Sequence, residues 1–249
     1  MLAVEQHHAL MRLAQALDHV IAVTREPELD FVVAVLRERV ADPHPVARDE
    51  PRATRWLKRI GAEEGKFICV LPRLRYTPYY QVKNLPRDES DYALNAINAK
   101  HAAQDQAPLR DLITLYVRET GHKVLLCPEM TCEIAVAREH LLDPLPVDVK
   151  PHVIWRDTFW LADEAASVYA RATAIVSAEC HSPIIALSQG TPAFYVRNPA
   201  DTVKAQMFAD IGMGDWIFES GHTTGQQPWE KLKLLHEDRT AGPPACRSP

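Results

Sequence analysis

From Lys66 onward, short apolar runs alternate with longer segments whose apolar residues recur every three or four positions. "KFICVLP", "KVLLCPE", "HVIWR", "TAIVSAE" and "TPAFYVR" read as five strands, each too short and too uniformly apolar for an amphipathic helix. Between them, "APLRDLITLYVRETGH", "CEIAVAREHLL", "ADEAASVYARA" and "SPIIALSQG" carry the helical period, and "VKAQMFADIG" and "WEKLKLLHE" supply two closing helices. Strand–helix alternation of this kind predicts βαβ units, a parallel sheet and right-handed crossovers. The expected fold is therefore α/β, a Rossmann-like doubly wound parallel sheet. Upstream, "RATRWLKRIGAEEG" predicts a helix closed by Gly61, after a loop punctuated by Pro43, Pro45 and Pro51. The first forty residues read as helix, short strand ("HVIAVT") and helix. The expected organisation is residues 1–45 as a helical and short-strand element, 46–235 as the Rossmann-like domain, and 236–249 as a disordered tail.

Composition narrows the function classes. The chain has 249 residues, 47% of them hydrophobic, enough to bury a full α/β core. A net charge of −5 with scattered Lys and Arg gives no basis for nucleic-acid binding, though a small anion needs only a local cluster of donors. No apolar run reaches the roughly 20 residues of a membrane span, and the first residues lack a signal-peptide pattern. Five Cys residues, at 69, 127, 132, 180 and 246, form no CxxC pair, so a reduced, cytoplasmic protein is expected. With 9 Gly and no phosphate-loop fingerprint, the chain offers no standard nucleotide motif. No cofactor is expected. Nor is a metal, because the Cys and His residues lack zinc-ligand spacing.

Ligands of doubly wound sheets bind beyond the carboxyl ends of the strands, so the strand ends are where chemistry is sought. The first strand runs into "PRLRY": Arg73 and Arg75 either fork onto a carboxylate or phosphate, or pair with acids in a solvated loop. The second ends at Glu129, read as a helix-start charge. The fourth ends in Glu179-Cys180-His181, and Ser182-Pro183 then opens a helix whose free N–H groups suit an anion. His181 there is either an acid or base near neutral pH or a helix-terminal residue satisfied by local backbone. Cys180 reads as a buried thiol, since nothing in the sequence pairs it with a base and an orienting acid. Lys204, beyond the fifth strand, either completes a cationic pocket or lies on the surface.

Taken together, "ATAIVSAECHSPIIALSQGTPAFYV" and the following "DTVKAQMFADIG" resemble the polysaccharide pyruvyl transferase family. The family carries R-x-H or a related element after a strand, an "IIAL"-type helix, G-x-P before the next strand, then Lys and "IG". Here these fall at His181, Ile184–Leu187, Gly190, Pro192, Lys204 and Ile211-Gly212, and "ICVLPRLRY" is similar to the family strand that delivers an active-site Arg. The resemblance covers roughly residues 45–220 and departs from the family at Glu179, which stands in the R-x-H arginine's place and makes this an E-x-H variant. It implies one half of a glycosyltransferase-B-like fold, with residues 1–45 the remnant of a truncated N-terminal domain. It further implies transfer of a pyruvyl group from phosphoenolpyruvate, the donor substrate, to a hydroxyl of a glycan or sugar-lipid acceptor. His181 would then be the acid/base, with Glu179 beside it orienting the imidazole or receiving the sugar hydroxyl. Arg73 or Arg75, with Lys204 and Ser182, would bind substrate. Because the family's site lies between two domains, a second copy of the chain or another subunit would supply the missing wall, which makes a homo-oligomer a candidate arrangement. Two other readings stand beside it: a sugar-nucleotide glycosyltransferase half, and a non-catalytic domain that binds a glycan or a subunit.

Overall fold

The structure, a computed structural model, describes residues 50–201, 204–210 and 212–237. The elements read in residues 1–45 and the tail from 238 lie outside the described residues, so the fold begins at α1 (Pro51–Ile60). Glu50 caps that helix by accepting from the Ala53 N–H, and Gly61 ends it at φ 63°, a left-handed conformation that favours glycine. The chain then alternates as expected: β1 (Phe67–Leu71), a short α2 (Tyr79–Val82), α3 (Glu89–Asp105), α4 (Ala107–Thr120), β2 (Lys123–Leu126), α5 (Glu133–Val136), β3 (Val153–Trp155), α6 (Ala162–Tyr169), β4 (Ala174–Ser177), α7 (His181–Ser188), β5 (Ala193–Arg197), α8 (Lys204–Asp210), β6 (Ile217–Glu219) and α9 (Gln226–Glu237).

All six strands are parallel, in the order β3-β2-β1-β4-β5-β6. Helices cover both faces. Alternate strand residues feed two cores: Phe67, Cys69, Leu71, Leu125, Ile175 and Tyr195 pack with Trp56 of α1, Val168 of α6 and Ile184 of α7. On the other face, Ile68, Val70, Val124, Leu126, Val176 and Phe194 meet Leu112 of α4 and Leu232 of α9. A large apolar side chain sealed in this way is worth about 1.5–3 kcal/mol, which is why the strands read as continuous apolar runs. Among the described residues no helix is long and apolar enough to cross a membrane.

The structure adds elements that the apolar pattern did not show. α3 buries only Asn98, Ala102 and Asp105, so it has no apolar stripe; its signal is the capping box between Asp88 and Asp91. β6 is a three-residue, half-buried edge strand. The helix read over "CEIAVAREHLL" is α-helical only through Val136 and continues as a π turn over Ala137–Leu142. The fourth strand ends at Ser177, two residues before the expected Glu179, and the following helix already begins at His181.

One close approach locks the last helix to the fold. A Cβ on Gly225, just before α9, would sit 2.3 Å from the Leu112 backbone nitrogen of α4. Gly225→Ala is therefore expected to cost about 1–3 kcal/mol by overpacking. Thermal denaturation should show it, and an unchanged melting temperature would mean that α9 sits more loosely on α4.

Candidate functional site

β1 pairs with β2 on one side and with β4 on the other, so the direction of winding reverses between β1 and β4. Side chains following these two strands meet at the point where such sheets open a ligand crevice. After β1, Arg73 places its Nε 3.0 Å from a Glu179 oxygen, which follows β4. This is an ion-pair contact rather than an aligned hydrogen bond. The same guanidinium donates through Nη1 to Asp201, beyond β5. Asp201 is itself fixed by the Tyr195 hydroxyl at 2.8 Å and the Asn198 N–H at 2.9 Å.

His181 belongs to a second group. Its Nδ1 lies 2.5 Å from one oxygen of Glu129, which follows β2. The other Glu129 oxygen accepts from the Ser182 N–H (2.8 Å) and hydroxyl (2.6 Å), and that hydroxyl accepts from Tyr169. Glu129 thus fills the start of α7 with a carboxylate of the chain itself, where the sequence suggested room for an outside anion. The loop carrying it is braced: Trp160 donates to the Pro128 carbonyl at 2.8 Å. The Arg156 guanidinium lies 4.6 Å from the Trp160 ring centre and 4.7 Å from that of Trp56.

Glu133 joins the two groups. One of its oxygens accepts the Glu129 and Met130 N–H groups at 2.7 and 3.0 Å, and its carboxyl is hydrogen-bonded to Glu179. Burial, and then the neighbouring Glu179 charge, push the Glu133 carboxyl well above the usual carboxylate range, which favours its protonated form. Burial also raises Glu179, against the pull of Arg73. For Arg73, burial works against the charge, but Glu179 and Asp201 outweigh it. Burial likewise opposes the imidazolium of His181, yet Cys180 and Glu129 raise it well above its ordinary value. Burial would raise Glu129, but His181 holds it low. The half-buried Cys132 thiol is pushed up to about 12, by burial and then by Glu133 and Glu179.

Of the residues singled out from sequence, Arg73, Glu179, His181 and Ser182 come together around these acids. Arg75 forms a separate pair, forking onto the buried Asp105 of α3 at 2.6 and 2.8 Å. Lys204 opens α8, and its side chain lies outside the described residues. The imidazole is oriented by Glu129, the residue read as a helix-start charge; the contacts of Glu179 are with Arg73 and Glu133. Cys180 is buried, 1% exposed, and does have a base beside it with an orienting acid; burial denies its sulfur to a substrate. Glu133, Asp201 and Tyr195 carry no local signal: Glu133 lies in a helical run, Tyr195 in an apolar strand and Asp201 in a turn, and only the strand order brings them to the crevice.

Chemically, the site holds one imidazole with a fixed ring, one guanidinium and a carboxyl pair, all largely out of water. The His181 Nε2 is buried and has no hydrogen-bond partner among the described residues. Such a set can deliver a proton and receive one a few ångströms away. No protein-family model matches the chain, and no curated protein is similar to it.

Proposed function

We propose that the chain is a polysaccharide pyruvyl transferase-like enzyme, transferring a pyruvyl group from phosphoenolpyruvate to a sugar hydroxyl of a glycan or sugar-lipid acceptor. The observation that carries this reading is the unpartnered His181 Nε2, with Nδ1 held by Glu129, at the strand ends where Arg73 and Glu179 converge. His181 gives its proton to the methylene carbon of the donor, which becomes the methyl group of the product. The donor's phosphate or carboxylate takes the place of Glu179 on Arg73, stabilising charge as it moves to the leaving group. The freed Glu179 accepts the proton of the first attacking hydroxyl. Phosphate then leaves with the electrons of its bond to C2, and the second hydroxyl closes the ketal, passing its proton back to His181. Ser182 keeps Glu129 in place. Phosphoenolpyruvate as donor places the reaction in the cytoplasm, and a second copy of the chain is the simplest second wall for the crevice.

A non-catalytic glycan-binding domain is the second reading. It is favoured by the acids that already occupy each cation: Glu179 and Asp201 on Arg73, Asp105 on Arg75, Glu129 on His181. Incubation with phosphoenolpyruvate and a panel of glycan acceptors separates the two. Acceptor-dependent phosphate release that falls at least about 100-fold in His181→Ala is expected, the scale of a lost general acid. Glycan binding without phosphate release, unchanged in His181→Ala, would overturn the first reading and establish the second.

A further inference from the structure

The spacing of Cys and His along the chain gave no zinc pattern, but the turn after β4 brings three different donors to one point. The Cys180 sulfur, a Glu179 carboxylate oxygen and a His181 ring nitrogen lie within 4.8 Å of one another. Bonds to Zn²⁺ run about 2.0–2.3 Å for nitrogen, oxygen and sulfur, so two ligands at a tetrahedral angle stand about 3.3–3.8 Å apart. The three donors need to draw in by no more than about 1.5 Å to share an ion.

Two further observations point the same way. Nδ1 of His181 is held by the Glu129 carboxylate, while Nε2 is buried and unpartnered. A carboxylate on one ring nitrogen and a vacant second nitrogen is the usual arrangement of a metal-ligating histidine. Around the turn, the carboxyl groups of Glu129, Glu179 and Asp201 face two cationic side chains, Arg73 and His181, so acids outnumber cations in this buried cluster.

We propose that Glu179, Cys180 and His181 form a binding site for a borderline-soft divalent cation, Zn²⁺ being the best match to a mixed sulfur, nitrogen and oxygen set. Three protein ligands leave one tetrahedral position for water. His181, the one member that is not fully buried, is the side from which an ion enters. The site uses the imidazole to which the pyruvyl-transfer reading gives the proton, so an ion here and that transfer exclude one another. The inference does not rest on that reading, and its test contains no phosphoenolpyruvate.

The test is a titration of the full chain with Co²⁺, after dialysis against a chelator, followed by absorbance. A thiolate–cobalt charge-transfer band saturating at one equivalent, and erased by added Zn²⁺, is expected. Cys180→Ser should abolish the band, whereas the double variant Cys132→Ser/Cys246→Ser should keep it. Glu129→Gln, which removes only the carboxylate behind the imidazole, should keep the band but weaken Co²⁺ binding by about 10–100-fold. Absence of the band in the unaltered protein would overturn the proposal, as would its survival in folded Cys180→Ser. Should Cys180→Ser fail to fold, the double variant decides alone, because Cys69 and Cys127 are sealed in the core. A band lost there belongs to another thiol.

Discussion

Arg73→Ala is expected to destabilise the protein by about 3–5 kcal/mol, the usual consequence of removing one partner of a buried ion pair. For a chain of this size that is a fall of roughly 6–20 °C in melting temperature. The side chain is 12% exposed, and those of Glu179 and Asp201 are 4% and 3% exposed. Among the described residues neither carboxylate has a second cation in direct contact: Glu179 next meets Glu133, with the His181 charge farther off, and Asp201 next meets the Tyr195 hydroxyl. The abandoned acids would take up protons, so the loss should be smaller at pH 5 than at pH 8. Adding Glu179→Gln to Arg73→Ala removes one stranded charge and should recover part of the loss, a coupling that a double-mutant cycle measures directly. A change under about 0.5 kcal/mol, typical of an exposed residue, would show that water reaches this cluster.

The same arrangement bears on the pyruvyl-transfer reading. An anionic donor cannot simply settle on Arg73, because the guanidinium is already neutralised twice. It has to displace Glu179, and the displaced carboxylate then stands beside the donor as a base. On that reading, donor binding and activation of the acceptor are one event, and the carboxylate of Glu179 has a chemical purpose. The exchange also sets a cost: donor affinity is reduced by whatever the Arg73–Glu179 pair contributes.

How much of this was legible depended on whether the signal was local. Strands β1 to β5 stand out because residues such as Ile68, Cys69 and Val70 are buried whichever face they point to, so the runs are apolar throughout. Helix α3 is nearly invisible because it turns Asn98 and Asp105 inward to hold the Tyr76 and Arg75 region, and polar residues leave no hydrophobic period. His181 and Arg73 could be chosen as candidates because both follow apolar runs. Their partners could not: Glu129 is 52 positions from His181, and Asp201 is 128 positions from Arg73. Only the strand order, with β1 between β2 and β4, makes these neighbours, and no spacing along the chain encodes it. Arg75, two positions beyond Arg73 in the same loop, turns the other way onto α3, a choice made by an element the pattern had hidden.

Glu133→Gln should stabilise the protein at pH 8 and have little effect near pH 4.5. The carboxyl is 2% exposed and accepts two backbone N–H groups on one oxygen, a task the amide carbonyl of Gln performs as well. Its NH₂ group replaces the carboxyl proton toward Glu179. Burial and the Glu179 charge raise the folded-state pKa well above 4.5, so above that pH the native state holds a proton that the unfolded chain has released. Stability then falls with rising pH by about 1.4 kcal/mol per unit for that proton, until pH reaches the folded-state value. Glu179 and His181 are raised too and act with the same sign: the stability that His181 contributes is complete below about 6.5 and is lost as pH rises through its folded-state value. Groups with lowered values oppose them on the acid side, the exposed Glu50, Glu63, Asp88 and Asp148 among them. Glu129, held low by His181, loses its contribution as pH falls through its folded-state value, and His122, lowered by burial, resists the proton that the unfolded chain takes up below about 6.5. The wild-type protein should therefore melt at a higher temperature in mildly acidic buffer than at pH 8, and Glu133→Gln should shrink that difference by the share of one proton. Melting curves from pH 5 to 8 on both proteins decide it. If the variant is instead less stable at pH 8, Glu133 is ionised in the fold and the charge count at this crevice is more negative by one.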